Sequence, residues 1–183
     1  MKNILFVLLL AFPSFVNAQF TLTPAGFVST VDSTKNFLVV DAPGLKQADL
    51  YKKAMVYLNA SFVSPKNVLS VVDGESITIN GLAKDAIKMK VLYLNPTWDI
   101  DYTITLQFKD GKFRLSEPHI NKISTYTGDV YRVATIGPGP GKEIYNKKGE
   151  LKQKDGKENL EVYFNAFIKT MITGITTGKQ ENW

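Results

Sequence analysis

The chain has 183 residues, no cysteine and a small positive charge, and these properties exclude several kinds of chemistry. Without cysteine the chain forms no disulfide, zinc–thiolate site, iron–sulfur cluster or thiol nucleophile, so packing must hold the core. The formal net charge of +5 comes from 22 basic and 17 acidic side chains. A dedicated nucleic-acid binder would show a denser basic patch, so we expect no nucleic-acid partner. The mild excess favours solubility or attraction to anionic polymers.

Residues 1–18 have the three parts of a secretory signal peptide. Lys2 gives a positive start, residues 4–12 are an unbroken apolar run, and residues 16–18 (VNA) have the small-x-small cleavage pattern. The apolar run is about half the ~20 residues that a membrane-spanning helix needs, and no later segment approaches that length. We therefore expect cleavage before Gln19 and a soluble product, either periplasmic or secreted. Because no cysteine is present for lipid attachment, we expect that the product is not a lipoprotein.

The mature chain begins with weakly periodic sequence and then a helix. Residues 19–35 are rich in Thr, Ser, Pro and Gly, which predicts an extended N-terminal arm or an edge strand. Residues 36–40 predict a short strand, which residues 41–44 (DAPG) end in a turn. Residues 46–61 predict a helix without a strong N-cap residue. Its apolar or small face consists of Leu50, Ala54, Tyr57, Leu58 and Ser61.

Strands follow in series. Residues 68–72 are apolar and β-branched, and Asp73-Gly74 predicts a two-residue hairpin turn to a strand over residues 76–80. Residues 87–93 alternate and predict a further strand. The clearest strand covers residues 100–108, where apolar and polar side chains alternate strictly. A second Asp-Gly pair, at residues 110–111, predicts the next hairpin.

The C-terminal third ends in a helix. A strand is predicted near residues 130–136, and residues 137–157 are dominated by Gly, Pro and Lys, which predicts a mobile basic loop. The start of this loop resembles a phosphate-binding loop but has Glu143 where that loop needs Ser or Thr. Residues 158–175 form the best amphipathic helix of the chain, and residues 176–183 are a tail. The apolar stripe of the helix consists of Leu160, Tyr163, Phe164, Phe167, Ile168, Met171, Ile172 and Ile175.

The helices and the well-defined strands each have one apolar face. The economical arrangement is an α+β fold, with one twisted antiparallel sheet and both helices on one side of it. The expected order is β-α-β-β-β-β-α within a single domain over residues 36–175. The helix-free face of the sheet should carry the polar residues of the strands. They are Thr78, Lys88, Lys90, Asp101, Thr103, Thr105, Gln107, Lys112 and Arg114.

Four runs within this pattern resemble a known family. A helix starts with residues 48–54 (ADLYKKA), two strands read VLSVV (68–72) and ITING (77–81), and a hairpin reads YTITLQFKDGKFR (102–114). Together they resemble the Bacteroidota domain of unknown function DUF4468 over about residues 36–123. The resemblance implies a TBP-like core and a location in the bacterial envelope. The family has no assigned catalytic residues, so the resemblance implies none here.

Few residues offer catalytic or metal-binding chemistry. His119 is the single histidine, and no nucleophile and acid are identifiable as its triad partners. Asp99 and Asp101 share one face of a strand, but no calcium-type loop surrounds them. A solvated face on which they counter Lys88 and Lys90 accounts for both carboxylates.

The sequence therefore favours a non-catalytic binding or structural module of the bacterial envelope, without cofactor or metal. Its partner is expected to be an envelope protein or polymer, and its contact surface the polar sheet face. The residues predicted for that surface are Lys88, Lys90, Thr103, Thr105, Gln107 and Arg114. One alternative is a hydrolase of envelope substrates that uses Asp99, Asp101 or His119 in a shared pocket. Another is self-association through an edge strand or the N-terminal arm.

Overall fold

The computed structural model describes residues 19–90, 93–125, 127–134 and 143–177. The predicted signal peptide (1–18), the start of the predicted loop (137–142) and the end of the tail (178–183) lie outside the described residues. The strands are β1 (Phe20–Thr23), β2 (Gly26–Ser29), β3 (Phe37–Asp41), β4 (Leu69–Val72), β5 (Ser76–Lys88), β6 (Thr97–Lys109), β7 (Lys112–Ser116), β8 (His119–Ser124), β9 (Val130–Ala134) and β10 (Glu143–Tyr145). The helices are α1 (Gln47–Ser61), α2 (Pro65–Val68) and α3 (Lys154–Thr177).

Strand β6 is the central strand of the main sheet and pairs with three other strands. One edge of β6 pairs with β5, while the other edge pairs with β8 along its first half and with β7 along its second half. Strand β4 extends the sheet beyond β5, β3 pairs with β7, and β9 and β10 extend it beyond β8. All neighbours are antiparallel except β9 and β10, which run parallel. The predicted α+β sheet is thus confirmed, with this one parallel pair as an exception.

Both long helices pack on the same face of the sheet. The ring of Tyr51 on α1 meets Phe108 edge-on at 5.7 Å, and Phe164 on α3 meets Tyr102 at 5.2 Å. Because strand side chains alternate, every second residue of β6 from Trp98 to Phe108 is buried in this layer. Each such large side chain stabilises the fold by about 1.5–3 kcal/mol relative to an exposed one.

Gly81 allows one close approach within the sheet. It lies opposite Tyr102 in the β5–β6 register, and the Tyr102 ring covers the place where a Cβ atom would project. An alanine at Gly81 would therefore overlap the ring. The absence of a side chain at this position is what lets Tyr102 reach the aromatic side chains of α3.

The predicted boundaries change in the middle of the chain. Strand β5 is continuous to Lys88, with a register shift after Ala83 that includes Asp85 at a φ of 50°. Of the separate strand predicted over residues 87–93, residues 87 and 88 belong to β5, residues 91 and 92 lie outside the described residues, and Tyr93 is fully exposed. The strand predicted over residues 68–72 is one residue shorter, because Val68 is the last residue of the short helix α2, which begins at Pro65.

The segment predicted as an extended arm is a hairpin, β1–β2, bound to α3. Phe20, Leu22 and Phe27 are buried, because their alternation places them on one side of the hairpin. On α3, Asn165 Oδ1 accepts hydrogen bonds from the backbone N–H groups of Gln19 and Phe20 at 2.8 and 2.9 Å. Asn165 Nδ2 donates to the carbonyl of Phe20 at 2.9 Å. The hairpin is thus tied to a helix that is about 145 residues away along the chain.

A carboxylate on α3 makes a second attachment to the hairpin. Glu161 Oε1 accepts hydrogen bonds from the Thr21 hydroxyl and the Leu22 N–H, both at 2.7 Å, and pairs with Lys157. Burial opposes ionisation of Glu161, but the bonds from Lys157, Thr21 and Leu22 outweigh it and hold the pKa below its usual value. The attachment is therefore stronger when Glu161 is ionised.

The segment predicted as a basic loop over residues 137–157 contains regular structure in its described part. Ile144 and Tyr145 of β10 are buried, and the Tyr145 hydroxyl donates to the Leu22 carbonyl at 2.6 Å. Helix α3 begins at Lys154 and ends at Thr177, and so is longer than the predicted 158–175. Residues 143–145 form a strand because β10 is buried against other parts of the fold, although the local sequence carries mainly turn-forming and basic residues. None of the helices of the described residues is long and apolar enough to cross a membrane.

Candidate functional site

The helix-free side of the sheet, called here the open sheet face, carries the polar side chains that alternate with the core. Three rows of side chains cross the strands on this face, and they contain Thr103, Thr105 and Arg114 respectively. Each row follows from the cross-strand register, which places opposed residues of neighbouring strands on the same face. Asn80, Asp101, Gln107, Arg114 and Asn121 of this face are exposed.

The first row is a chain of side-chain hydrogen bonds across four strands. Asn121 Nδ2 on β8 donates to Thr103 Oγ1 on β6 at 3.1 Å and to Asp101 Oδ1 at 3.0 Å. The Thr103 hydroxyl donates to Asn80 Oδ1 on β5 at 3.3 Å, and Asn80 Nδ2 donates to Ser70 Oγ on β4 at 3.4 Å. Asn121 reaches this row because it is the extra residue at a register irregularity between β6 and β8.

The second row lies where the edge of β6 passes from β8 to β7. The hydroxyls of Thr78 and Thr105 share a hydrogen bond of 3.1 Å between β5 and β6. The backbone N–H of Thr105 donates to the Ser116 hydroxyl at 2.9 Å. The Ser116 side chain thus completes the backbone pairing in the gap between two partner strands.

The third row centres on a guanidinium group. Arg114 Nε donates to Gln107 Oε1 at 2.9 Å, and Arg114 Nη2 donates to the same oxygen. The guanidinium carbon lies 5.0 Å from the centroid of the Phe37 ring on β3, within the range of a cation–π contact. Both neighbours of the Arg114 cation are therefore uncharged.

A cavity of about 520 Å³, called here the Arg114 cavity, opens at this end of the face. Its charged lining consists of Lys109, Lys112, Arg114 and Glu75. Lys109 and Lys112 are cross-strand partners next to the Arg114 row, so three cations lie on one hairpin. The remaining lining is Val39, Gln47, Gln107, Phe108 and Phe113. Such a cavity suits a ligand that combines a negative group with a small apolar surface.

The structure brings together four of the six residues predicted as a contact surface. Thr103, Thr105, Gln107 and Arg114 belong to the three rows, whereas Lys88 is the last residue of β5, at its far end, and Lys90 lies beyond it. Lys88 opposes Thr97, six residues along β6 from Thr103, which corresponds to a separation of roughly 20 Å. The expectation that Lys88 counters Asp101 on a neighbouring strand is wrong, because Asp101 opposes Leu82 and Lys122.

Sequence reasoning missed several members of the rows. Strand alternation could have found Asn80 and Ser116, since each shares the parity of a predicted neighbour. Asn121 carries no such signal, because the sequence predicts no strand over residues 119–124 and Asn121 is the unpaired extra residue between β6 and β8. Phe37 and Val39 are adjacent to Arg114 only through the pairing of β3 with β7.

The three residues considered for hydrolysis lie in different surroundings. Asp99 Oδ1 accepts the backbone N–H of Asp85 at 2.8 Å, and Asp101 accepts the amide of Asn121. His119 lines a cleft of about 490 Å³ with Glu117, and neither aspartate lines that cleft. Burial raises the pKa of Glu117. The described residues contain no cluster of three or more side chains that could hold a metal ion. This arrangement gives the hydrolase hypothesis no shared pocket.

A third cavity lies on the helix side of the molecule. It is a groove of about 790 Å³ between α1 and α3, and Lys52, Lys53 and Lys169 contribute its cations. Tyr57 and Gly174 are in close contact along its floor. Because this groove is on the opposite side from the open sheet face, its lysines serve as matched control positions for the experiments below.

The sheet has a long central strand, two helices on one face and a polar opposite face. This is the arrangement of a TBP-like fold. Residues 37–122 match the family model described as a domain of unknown function (DUF4468) with TBP-like fold. This confirms the resemblance proposed from the sequence for residues 36–123. A search among curated proteins found no match.

Solved structures are also similar to this chain. A TBP-like protein from Parabacteroides distasonis has a TM-score of 0.54 at 8% identity, covering 80% of this chain and 92% of its own. That similarity supports the fold. A DUF4468 family protein from Bacteroides ovatus has a TM-score of 0.49 at 15% identity, covering 80% of this chain and 87% of its own.

Proposed function

We propose that this chain is an exported, non-catalytic binding module of the bacterial cell envelope, and that its open sheet face contacts an envelope protein or polymer. The observation that carries the proposal is the set of three hydrogen-bonded rows on that face. Side chains held by their neighbours lose less conformational entropy when a partner binds. A face of hydroxyl, amide and guanidinium groups suits a polar or anionic partner.

The export part of the proposal rests on the pattern of residues 1–18. Expression in a Bacteroides host followed by N-terminal sequencing of the accumulated product tests it directly. We expect a mature N-terminus at Gln19 in the periplasmic or extracellular fraction. A product that retains Met1 and stays in the cytoplasm would contradict export.

The fold itself does not argue for nucleic-acid binding. Proteins that bend DNA with a saddle-shaped sheet insert apolar wedges between bases. Among the described residues of the three rows, the aromatic side chain is Phe37, and the Arg114 guanidinium covers its ring. The face is therefore better suited to hydrogen bonding than to intercalation.

Crosslinking in the native host tests the contact surface. The wild-type chain is compared with a variant carrying Thr103→Ala, Gln107→Ala and Arg114→Ala, and captured molecules are quantified by mass spectrometry. A variant with Lys52→Ala and Lys53→Ala in the helix groove is the control. We expect a partner that the open-face variant loses and the groove variant keeps. If every captured partner remains at the wild-type level with the open-face variant, the surface is wrongly assigned.

The same purified proteins distinguish self-association from partner binding. Light scattering of the wild-type chain at high concentration should return the monomer mass. A stable dimer that the open-face variant abolishes would show instead that the face binds a second copy of the chain.

A further inference from the structure

The guanidinium of Arg114 is held in position but its charge is not neutralised. Two of its N–H groups point to the amide oxygen of Gln107, and the Phe37 ring lies against it. The ion pairs of the described residues do not include Arg114. Of the five N–H donors of a guanidinium, three remain for another acceptor. Arg114 is thus oriented by neutral neighbours toward an acceptor that the chain itself does not supply.

The surroundings of Arg114 strengthen its positive potential. Lys109 and Lys112 also line the Arg114 cavity, and Glu75 is the acid among its described lining residues. Asp41 opposes Lys112 in the register of β3 and β7, but it makes no ion pair with that lysine within 4.0 Å. Three cations in a partly enclosed cavity attract an anion more strongly than they would on a flat surface.

The shape and lining of the cavity indicate the chemical class of the ligand. A guanidinium fork matches the two oxygens of a carboxylate or a phosphate. A volume of about 520 Å³ accommodates a group of sugar size. Val39 provides an apolar wall, and Gln107 and Gln47 are polar side chains at its edges. A saccharide with one oxyanion has the required combination of charge, hydroxyl groups and apolar ring face.

We propose that the Arg114 cavity binds the oxyanion of an acidic saccharide, either a uronic acid carboxylate or a sugar phosphate, with the Arg114 fork as its principal contact. The inference rests on the proposed function in taking the open sheet face as the contact surface, and it names the ligand class at one end of that face. Lys109 and Lys112 add attraction that depends on salt, while Arg114 sets the geometry.

Titration followed by NMR tests the inference. The isotope-labelled full chain is titrated with galacturonate, with glucose 1-phosphate and with uncharged glucose, and the backbone signals of the β6–β7 hairpin and the Arg114 Nε–H signal are followed. We expect saturable shifts at these signals with at least one of the two anions and none with glucose. Saturation by galacturonate alone identifies a carboxylate ligand, and saturation by glucose 1-phosphate alone identifies a phosphate ligand.

Variants separate a specific fork from general charge attraction. Arg114→Gln should weaken binding about ten-fold or more, as loss of charged hydrogen bonds does. Arg114→Lys keeps the charge but loses the fork, so it should fall between Arg114→Gln and the wild type. The double variant Lys52→Gln and Lys53→Gln removes two cations from the helix groove and should bind as the wild type does. Unchanged signals far from the hairpin confirm that each variant is folded.

Specific results overturn the proposal. The proposal is refuted if neither anion produces saturable shifts at the hairpin signals. It is also refuted if Arg114→Gln binds the anion with wild-type affinity. If anion binding fails while crosslinking still depends on the open sheet face, the ligand class is wrong and the proposed function stands. If anions bind as expected but no crosslinked partner depends on the face, the cavity is a ligand site and the proposed function is wrong.

Discussion

Replacing Asn165 by alanine should loosen the β1–β2 hairpin from α3. Asn165→Ala removes three hydrogen bonds of 2.8–2.9 Å and leaves the N–H groups of Gln19 and Phe20 and the Phe20 carbonyl without this partner. A buried polar group that loses its partner costs about 1–3 kcal/mol, and these groups are only partly buried, so water recovers part of the loss. We expect a decrease of about 3 kcal/mol in the free energy of unfolding. For a chain of this size, that decrease lowers the unfolding temperature by roughly 6–12 °C.

A matched control lies on the same helix. The side chain of Asn159 makes one exposed hydrogen bond, to the Lys88 carbonyl at 2.7 Å, so Asn159→Ala should cost about 1 kcal/mol or less. Urea unfolding, followed by the fluorescence of the buried Trp98, measures both variants. Hydrogen exchange at Leu22 gives a local readout and should accelerate only in Asn165→Ala. If the two variants differ by less than about 0.5 kcal/mol, Asn165 does not hold the hairpin and the reasoning fails.

Three further predictions concern the core, the pH dependence and a helix end. Gly81→Ala should destabilise the fold by about 1–3 kcal/mol, because the new methyl group overlaps the ring of Tyr102, whereas Leu82→Ala on the exposed side should change little. Urea unfolding that ranks these two variants equally would contradict the close approach. The pKa of Glu161 is lowered in the folded state, so its contribution is complete above the unfolded value of about 4.3 and is lost as the pH falls through the folded value. The difference in stability between the wild type and Glu161→Gln should therefore shrink between about pH 5 and pH 3, and a constant difference across that range would argue against an ionised Glu161. Asp110→Ala should lower the thermal unfolding temperature measured by circular dichroism, because Asp110 Oδ1 accepts the first N–H of α1, from Gln47, at 2.9 Å, while Asp110→Asn should retain part of the effect.

The parts of the fold that follow a short-range pattern could be predicted from the sequence. Strict alternation over residues 100–108 determines which face of β6 is buried, and the Asp-Gly pairs place the hairpin turns, since Gly74 and Gly111 both have a positive φ. The apolar stripes of α1 and α3 likewise identify their buried faces. Each of these features is encoded within one continuous segment, from two residues for a hairpin turn to about 11–18 residues for a helical stripe.

The candidate site was only partly predictable, because it is assembled by register. Thr103, Thr105, Gln107 and Arg114 were found from their parity on β6 and β7. The distance of Lys88 from these four residues depends on the length of β5 and on the register shift after Ala83. That shift places Lys88 opposite Thr97. No local pattern encodes that shift, since it arises from the pairing of two long strands.

The sequence by itself determined the class of the fold, the faces of its helices and strands, and the polarity of the open sheet face. The tertiary structure alone decided how distant segments complete one another. Lys46 at the start of α1 offers no side-chain cap, and Asp110, 63 residues away from Gln47, supplies the acceptor instead. Phe37 comes beneath Arg114 only because β3 pairs with β7. Local propensity acts over a few residues, whereas such contacts depend on which elements pack together.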